Sequence, residues 1–314
     1  MEVNTPKTLR EAIAYFANPD NCVAYMVAKR WPSGVSCPTC GSSKVTYDAK
    51  GHRWQCAVHH EKRKFSLKTG TVLEDSPLGL DKWLPCVWLV TNCKNGVSSW
   101  EIHRALGVTQ KTAWFMLHRA RLAMQGKNGG KLGGDVEVDE TFIGGKARNM
   151  HPAERARKIT GRGPEGKAIV AAVLERGGQV RAKVVKTRRK PELQALIREN
   201  VEAGSNVYSD ALKSYEGLDE YKHQVIDHAE AYVDGQIHTN GCENFWSLLK
   251  RGIHGTYVSV EPFHLHRYID EQAFRYNNRQ DMNDSERFDL AVSQIVGKRL
   301  TYKELTGHED EEPF

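Results

Sequence analysis

The chain has 314 residues, 39% of them hydrophobic and 27% charged, which excludes global disorder and leaves room for two or three domains with cores of their own. The net charge of +6 is too small to name a partner by itself, and seven cysteines are too few for a disulfide scaffold. The longest apolar run, 83–90, contains Pro85 and falls short of the ~18–20 residues of a membrane span. Glu2, Arg10 and Glu11 stand where a signal peptide needs an apolar core, so a cytoplasmic protein is expected.

In chain order, residues 8–30 predict two short helices, with Asp20 placed to cap the second. Trp31-Pro32-Ser33-Gly34 breaks the chain, and 35–70 predicts short β segments. Cys37-Pro38-Thr39-Cys40-Gly41 is a Cys-x2-Cys knuckle, and Cys56 with His59 follows after fifteen intervening residues. Two such pairs close a tetrahedral Zn²⁺ site, structural because four protein ligands leave no place for water. His60 adjoins His59 and is the alternative fourth ligand. Cys22, Cys86, Cys93 and Cys242 lack partners at ligand spacing and read as free, buried thiols.

Residues 82–124 predict three helices. Ser98 and Glu101 make a capping box, Gly107 a turn, and Thr109 the cap of the next helix. That is the pattern of a helix-turn-helix, packed by Ile102, Ala105, Leu106, Val108, Ala113 and Leu117. Its second helix would offer Gln110, Lys111, Thr112 and Arg119 to DNA. The glycines of 126–134 mark a linker.

Beyond it the pattern becomes α/β. Asp135-Val136-Glu137-Val138-Asp139 alternates as a strand, acids on one face and valines on the other. A hairpin follows at 167–175 and 179–186, then a helix at 191–202, strands at 206–209 and 223–227, and helices at 241–251 and 261–278. This order predicts a mixed sheet with flanking helices. Residues 146–190 are rich in base, including Arg155, Arg157, Lys158, Arg162, Lys186, Arg188, Arg189 and Lys190, while Glu309, Asp310, Glu311 and Glu312 form an acidic tail. Such a division suits a polyanionic partner on one surface.

Three carboxylates stand out. Asp139 lies on the first strand, with Glu137 a competitor on the same face. Asp210 ends a short strand. Glu243 shares one face of its helix with Ser247 and Lys250, opposite Phe245, Leu248, Leu249 and Gly252. Clustered carboxylates hold Mg²⁺ or Mn²⁺ for phosphoryl transfer, in the two-ion form with the ions ~3.5–4 Å apart. Lys250, two turns on, suits a phosphate or base contact.

With these residues in view, the chain resembles insertion-sequence transposases with a three-carboxylate, RNase H-like catalytic domain, in the branch that carries an N-terminal zinc ribbon. The resemblance runs over roughly 20–280. It is carried by Lys29-Arg30-Trp31-Pro32, the knuckle through Ser42, Phe65-Ser66 with Thr69-Gly70-Thr71, and Val138 through Lys146. Tyr208-Ser209-Asp210, His238-Thr239-Asn240 through Lys250-Arg251, and Phe274-Arg275-Tyr276-Asn277 complete it. It implies that Asp139, Asp210 and Glu243 are the metal-binding triad and Lys250 the associated basic residue. The 32 residues between Asp210 and Glu243 fit that class. His59 stands where the family usually has a fourth cysteine, and some relatives use Asn as the third residue, which makes Asn240 an alternative to Glu243.

The organisation expected is an N-terminal helical segment (1–34), a zinc ribbon (35–75), a helix-turn-helix (76–125), a linker (126–134), an RNase H-like catalytic domain (135–290) and a C-terminal segment (291–314). The expected activity is cleavage and joining of double-stranded DNA at an element's terminal repeats and at a target, by at least a dimer. A non-catalytic DNA-binding descendant of such an enzyme and a sequence-selective nuclease are the alternatives.

Overall fold

The computed structural model describes residues 5–126, 129–145, 147–159, 161, 164–226 and 238–307. Lys146, Arg162 and the acidic tail lie outside them. Contacts divide the chain into two units, Met1–Gly126 with Asn278–Phe314, and Lys127–Asn277. Sequence reading carried the catalytic domain on to 290; the described residues from 278 on cluster with the N-terminal unit instead. Among the described residues no helix is long and apolar enough to cross a membrane.

The first unit opens with α1 (Leu9–Phe16) and α2 (Pro19–Arg30). Asn18, not Asp20, caps α2: its side chain accepts from the Asp20 amide at 2.9 Å, and Pro19 takes the first helical position, where no donor is missed. A three-stranded antiparallel sheet follows, β1 (Val45–Asp48), β2 (Arg53–Cys56) and β3 (Lys64–Ser66), in the order β1-β2-β3. The three predicted helices are α3 (Leu80–Asn92), α4 (Ser99–Leu106) and α5 (Gln110–Met124).

The second unit is built on β4 (Asp135–Ile143). A short helix α6 (Pro152–Lys158), not anticipated within the basic stretch, leads to the hairpin β5 (Ala168–Glu175) and β6 (Val180–Val185). Then come α7 (Lys190–Asn200), β7 (Asn206–Asp210), β8 (Lys222–Ile226), α8 (Asn240–Arg251) and α9 (Leu265–Asn277). The five strands lie in the order β6-β5-β4-β7-β8. Central β4 runs antiparallel to β5 and parallel to β7. Alternation along β4 sends Val136 and Val138 to one face, where they pack with Leu193, Leu196 and Ile197 of α7. On the other face Ile143, Val170, Ala172 and Leu174 meet Cys242, Phe245, Trp246 and Leu249 of α8. Each large apolar side chain so buried contributes about 1.5–3 kcal/mol. This is the mixed-sheet, RNase H-like arrangement expected.

The chain returns to the first unit as α10 (Asp284–Ser293) and α11 (Tyr302–Thr306). Phe288 of α10 closes an aromatic core with Phe16, Tyr25 and Trp88, at ring centroid distances of 5.6, 5.6 and 5.1 Å.

Candidate metal centres

Strand pairing assembles the acidic site. β4 and β7 run parallel with Val138 opposite Ser209, so the next residues, Asp139 and Asp210, stand side by side where β7 ends. Carboxylate oxygens of Asp139, Glu140 and Asp210 lie within 4.8 Å of one another. Burial pushes the Asp139 carboxyl up to about 7, the neighbouring Glu140 and Asp210 adding to it, against the Trp246 indole and the Glu140 amide, which donate to it at 2.9 and 2.8 Å. Burial likewise raises Glu140. Hard oxygen donors gathered where their own charges repel fit a divalent cation such as Mg²⁺ or Mn²⁺.

Glu140 was not among the sequence candidates. It faces the α7 side, where the Tyr215 hydroxyl donates to it at 2.7 Å and Arg188 at 3.2 Å. Glu243 stands outside the 4.8 Å cluster, exposed on the first turn of α8. Asn240 is the first residue of that helix and Lys250 lies half-buried in its last turn. On the α8 face opposite Glu243, Phe245 and Leu249 are buried as expected and Leu248 is half-buried; Trp246, on the flank nearer Glu243, is buried too and reaches Asp139. Glu243 precedes Trp246 by three residues, about one turn.

The seat of α8 was also missed. Glu137, 1% exposed, accepts from the amides of Gly241 at 2.7 Å and Cys242 at 3.1 Å. Its other oxygen accepts from Arg176 Nε at 2.9 Å and lies 3.2 Å from His238 Nδ1. Arg176 also donates to the His238 carbonyl at 2.8 Å and lies 4.1 Å from the centre of the Tyr208 ring. A visible signal was the second acid in the alternating strand.

In the β1–β3 unit, Cys37, Cys40, Cys56 and His60 bring their ligand atoms within 4.8 Å of one another. Cys37 Sγ is 3.4 Å from His60 Nε2, and Cys40 Sγ 3.6 Å from Cys56 Sγ. The expected ligand His59 is exposed instead. The hairpin closes on the Cys56 amide, bonded to the Arg63 carbonyl at 2.9 Å, and the turn between them aims the ring of His60, one residue further on, back at the knuckle. Gly41, at φ +73°, donates to the Cys37 carbonyl at 2.8 Å and tightens the knuckle turn. Burial pushes the Cys37 thiol up, but the Cys40 and Thr39 amides and the neighbouring thiols outweigh it and hold the thiol at about 6, which favours a thiolate ligand. Three thiolates and an imidazole suit Zn²⁺.

The α4–α5 pair has the predicted caps. The Glu101 amide donates to Ser98 Oγ at 3.2 Å, the Ser98 amide to Glu101 Oε2 at 2.7 Å, and the Thr112 amide to Thr109 Oγ1 at 3.1 Å. Gly107 is left-handed, at φ +63°. Ile102, Val108, Ala113 and Leu117 pack the pair, Leu106 is half-buried, and Ala105 is exposed. Lys111 is exposed, its Nζ 4.7 Å from the Tyr302 ring. Thr112 is half-buried, its hydroxyl 2.8 Å from that of Thr109, and Gln110 donates to Ser99 Oγ at 2.8 Å. Arg119 does not face outward as expected. It is 6% exposed and donates to the carbonyls of Leu300 at 3.0 Å and Glu74 at 2.8 Å, because α5 is buried on every side from Met116 to Arg121.

Comparison with known proteins gives a family. Residues 131–277 match the ISXO2-like transposase domain, and 17–58 the transposase zinc-ribbon domain. A protein in transposable element ISH50 of Halobacterium salinarum is 29% identical over 234 residues, 71% of this chain and 79% of that relative. A transposase-like protein of Haemophilus influenzae is 32% identical over 99 residues, 31% of this chain and 80% of that relative. A chain from a simian T-cell lymphotropic virus intasome bound to the PP2A regulatory subunit B56 gamma has 12% identity and a TM-score of 0.28, covering 55% of this chain and 63% of that one, a likeness too slight to bear on the fold.

Proposed function

The chain belongs to the transposases with an ISXO2-like domain and a zinc ribbon, and we propose that it binds the terminal repeats of an element and cleaves and joins DNA there. Asp139, Asp210 and Glu243 would hold two Mg²⁺ or Mn²⁺ ions. Bound there, the ions supply charge that activates an attacking oxygen and stabilises the leaving one. The carrying observation is the adjacency of Asp139 and Asp210 across the β4–β7 pair.

The residues divide the work. Asp139 and Asp210 sit on strands, which fixes their separation, and Glu243 rides on a helix bound to Asp139 through Trp246. Lys250, on the same helix, would contact a phosphate of the strand being cut. Hydrolysis at the element's end and attack of the freed 3′-hydroxyl on target DNA are both in-line displacements at phosphorus, so one set of acids serves both. Gln110, Lys111 and Thr112, at the start of α5, would contact the repeat. Zn²⁺ at Cys37, Cys40, Cys56 and His60 would hold the ribbon together. Joining two ends to one target requires at least two copies of the chain on DNA.

The test is an assay of wild type and the Asp139→Asn, Asp210→Asn and Glu243→Gln variants on terminal-repeat duplexes with Mg²⁺, Mn²⁺ or EDTA. Wild type is expected to nick and to transfer strands with metal alone. Each variant should bind the duplex and lose both reactions by orders of magnitude. Nicking with no strand-transfer product would leave a nuclease, and binding with no nicking a DNA-binding protein only. Three active variants would refute the three-carboxylate site.

A further inference from the structure

We propose that Glu137, clamped by Arg176, is the positioning residue that sets α8, and with it Glu243, against the acidic site. This rests on the reading that Asp139, Asp210 and Glu243 hold the catalytic metals.

The first turn of a helix has amides with no partner inside the helix, and a side chain just ahead of it ordinarily accepts from them. In α8 that place belongs to Thr239, whose side chain makes no capping bond and whose hydroxyl is buried with no hydrogen-bond partner among the described residues. The acceptor comes from another element. Glu137 of β4 takes the amides of Gly241 and Cys242 on a single oxygen. A carboxylate at the positive end of a helix is also the electrostatically favoured cap. The fit tolerates nothing larger than glycine, since a Cβ on Gly241 would stand 2.7 Å from Glu137 Oε2 and 2.9 Å from Leu174 Cδ2.

Burying a charge in this way is weak evidence for stability, because a packed apolar pair can do as well. Its position in the chain points to alignment. Glu137 stands two residues before Asp139. Tyr208, against which Arg176 lies, stands two residues before Asp210. Gly241 stands two residues before Glu243. On the strands a separation of two keeps side chains on one face. One ionic link from Gly241 through Glu137 and Arg176 to Tyr208 thus touches each of the three ligand-bearing elements two residues ahead of its ligand.

The experiment is a titration of the full-length protein with Mn²⁺, followed by the electron paramagnetic resonance of the free ion, in a double-mutant cycle of Glu137→Gln and Glu243→Gln. Glutamine keeps the volume but has one acceptor oxygen for two sets of donors. Loss of a supporting partner is expected to weaken Mn²⁺ binding about tenfold or more with Glu243 present. With Glu243→Gln already in place, adding Glu137→Gln should cost less than about twofold, since the residue acts through Glu243. Equal weakening in both backgrounds, or none in either, overturns the proposal. Should Glu137→Gln not fold, Gly241→Ala displaces the same seat from the helix side, and the same two patterns decide. Mn²⁺ binding indifferent to Glu243→Gln refutes the underlying reading and the inference with it. Binding that depends on Glu243 but not on Glu137 refutes the inference alone.

Discussion

The indole of Trp246 donates to Oδ2 of Asp139 at 2.9 Å, so the helix that carries Glu243 touches the first acid of the site directly. A hydrogen bond to a charged group contributes about 1.5–3 kcal/mol. Trp246→Phe keeps a ring in the core and removes the donor. The Mn²⁺ dissociation constant at pH 7 should rise about tenfold, in line with 1.4 kcal/mol per decade. Unchanged Mn²⁺ affinity in this variant would show that the bond only packs the helix.

Glu140 shares the tight cluster with Asp139 and Asp210, and Glu243 does not. The two glutamates differ in their engagements. Glu140 already accepts from Tyr215 and Arg188, a role that a glutamine can partly fill. DNA nicking by Glu140→Gln should therefore fall about tenfold or less, roughly 1.4 kcal/mol of barrier, while Glu243→Gln falls far further. The reverse order would make Glu140 the third ligand.

Metal content separates the neighbouring histidines of the ribbon. Purified protein should carry one zinc per chain. His60→Ala should lower that content and the thermal midpoint, since binding energy at such a site is folding energy. His59→Ala should leave both unchanged. Zinc retained by His60→Ala and lost by His59→Ala would restore the original assignment.

On α5, position separates the roles expected of two basic residues. Arg119→Ala strands the carbonyls of Leu300 and Glu74 in a buried setting, at a cost of about 2 kcal/mol or more. Denaturant unfolding should register that loss. Lys111→Ala should leave unfolding unchanged and flatten the salt dependence of DNA binding by about one unit of slope. A stable Arg119→Ala protein with weakened DNA binding would reverse the assignment.

Local signals survive in a single sequence and contacts between distant elements do not. The capping box at Ser98 and Glu101, the αL turn at Gly107 and the alternation of β4 are set by neighbours within a few residues, and all three were legible. Asp139 and Asp210 were singled out as acids on strands, although their adjacency needed the parallel pairing of β4 with β7. Arg119 was misread because the charge of an arginine says nothing of the carbonyls that Leu300 and Glu74 offer it. Trp246 and Arg176 went unnoticed, and Glu137 was read only as a competitor of Asp139, for the same reason, since an indole or a second acid acquires its meaning from a partner up to 107 positions away. His60 was ranked behind His59 as the fourth ligand because ligand spacing is exact only when the turn is known.

The first unit is interrupted by the second, and Phe288 lies beyond that interruption. On a ribosome the order of emergence then matters. Trp88 precedes Phe288 by 200 positions, which at ~5–20 residues per second means a wait of roughly 10–40 s. Throughout it Phe16, Tyr25 and Trp88 lack the ring that completes their cluster, while the whole of the second unit is made. Synthesis thus finishes the inserted unit before the chain of the unit it interrupts, and a chain cut short just ahead of Phe288 carries Asp139 and Asp210 but lacks the ring that completes its aromatic core.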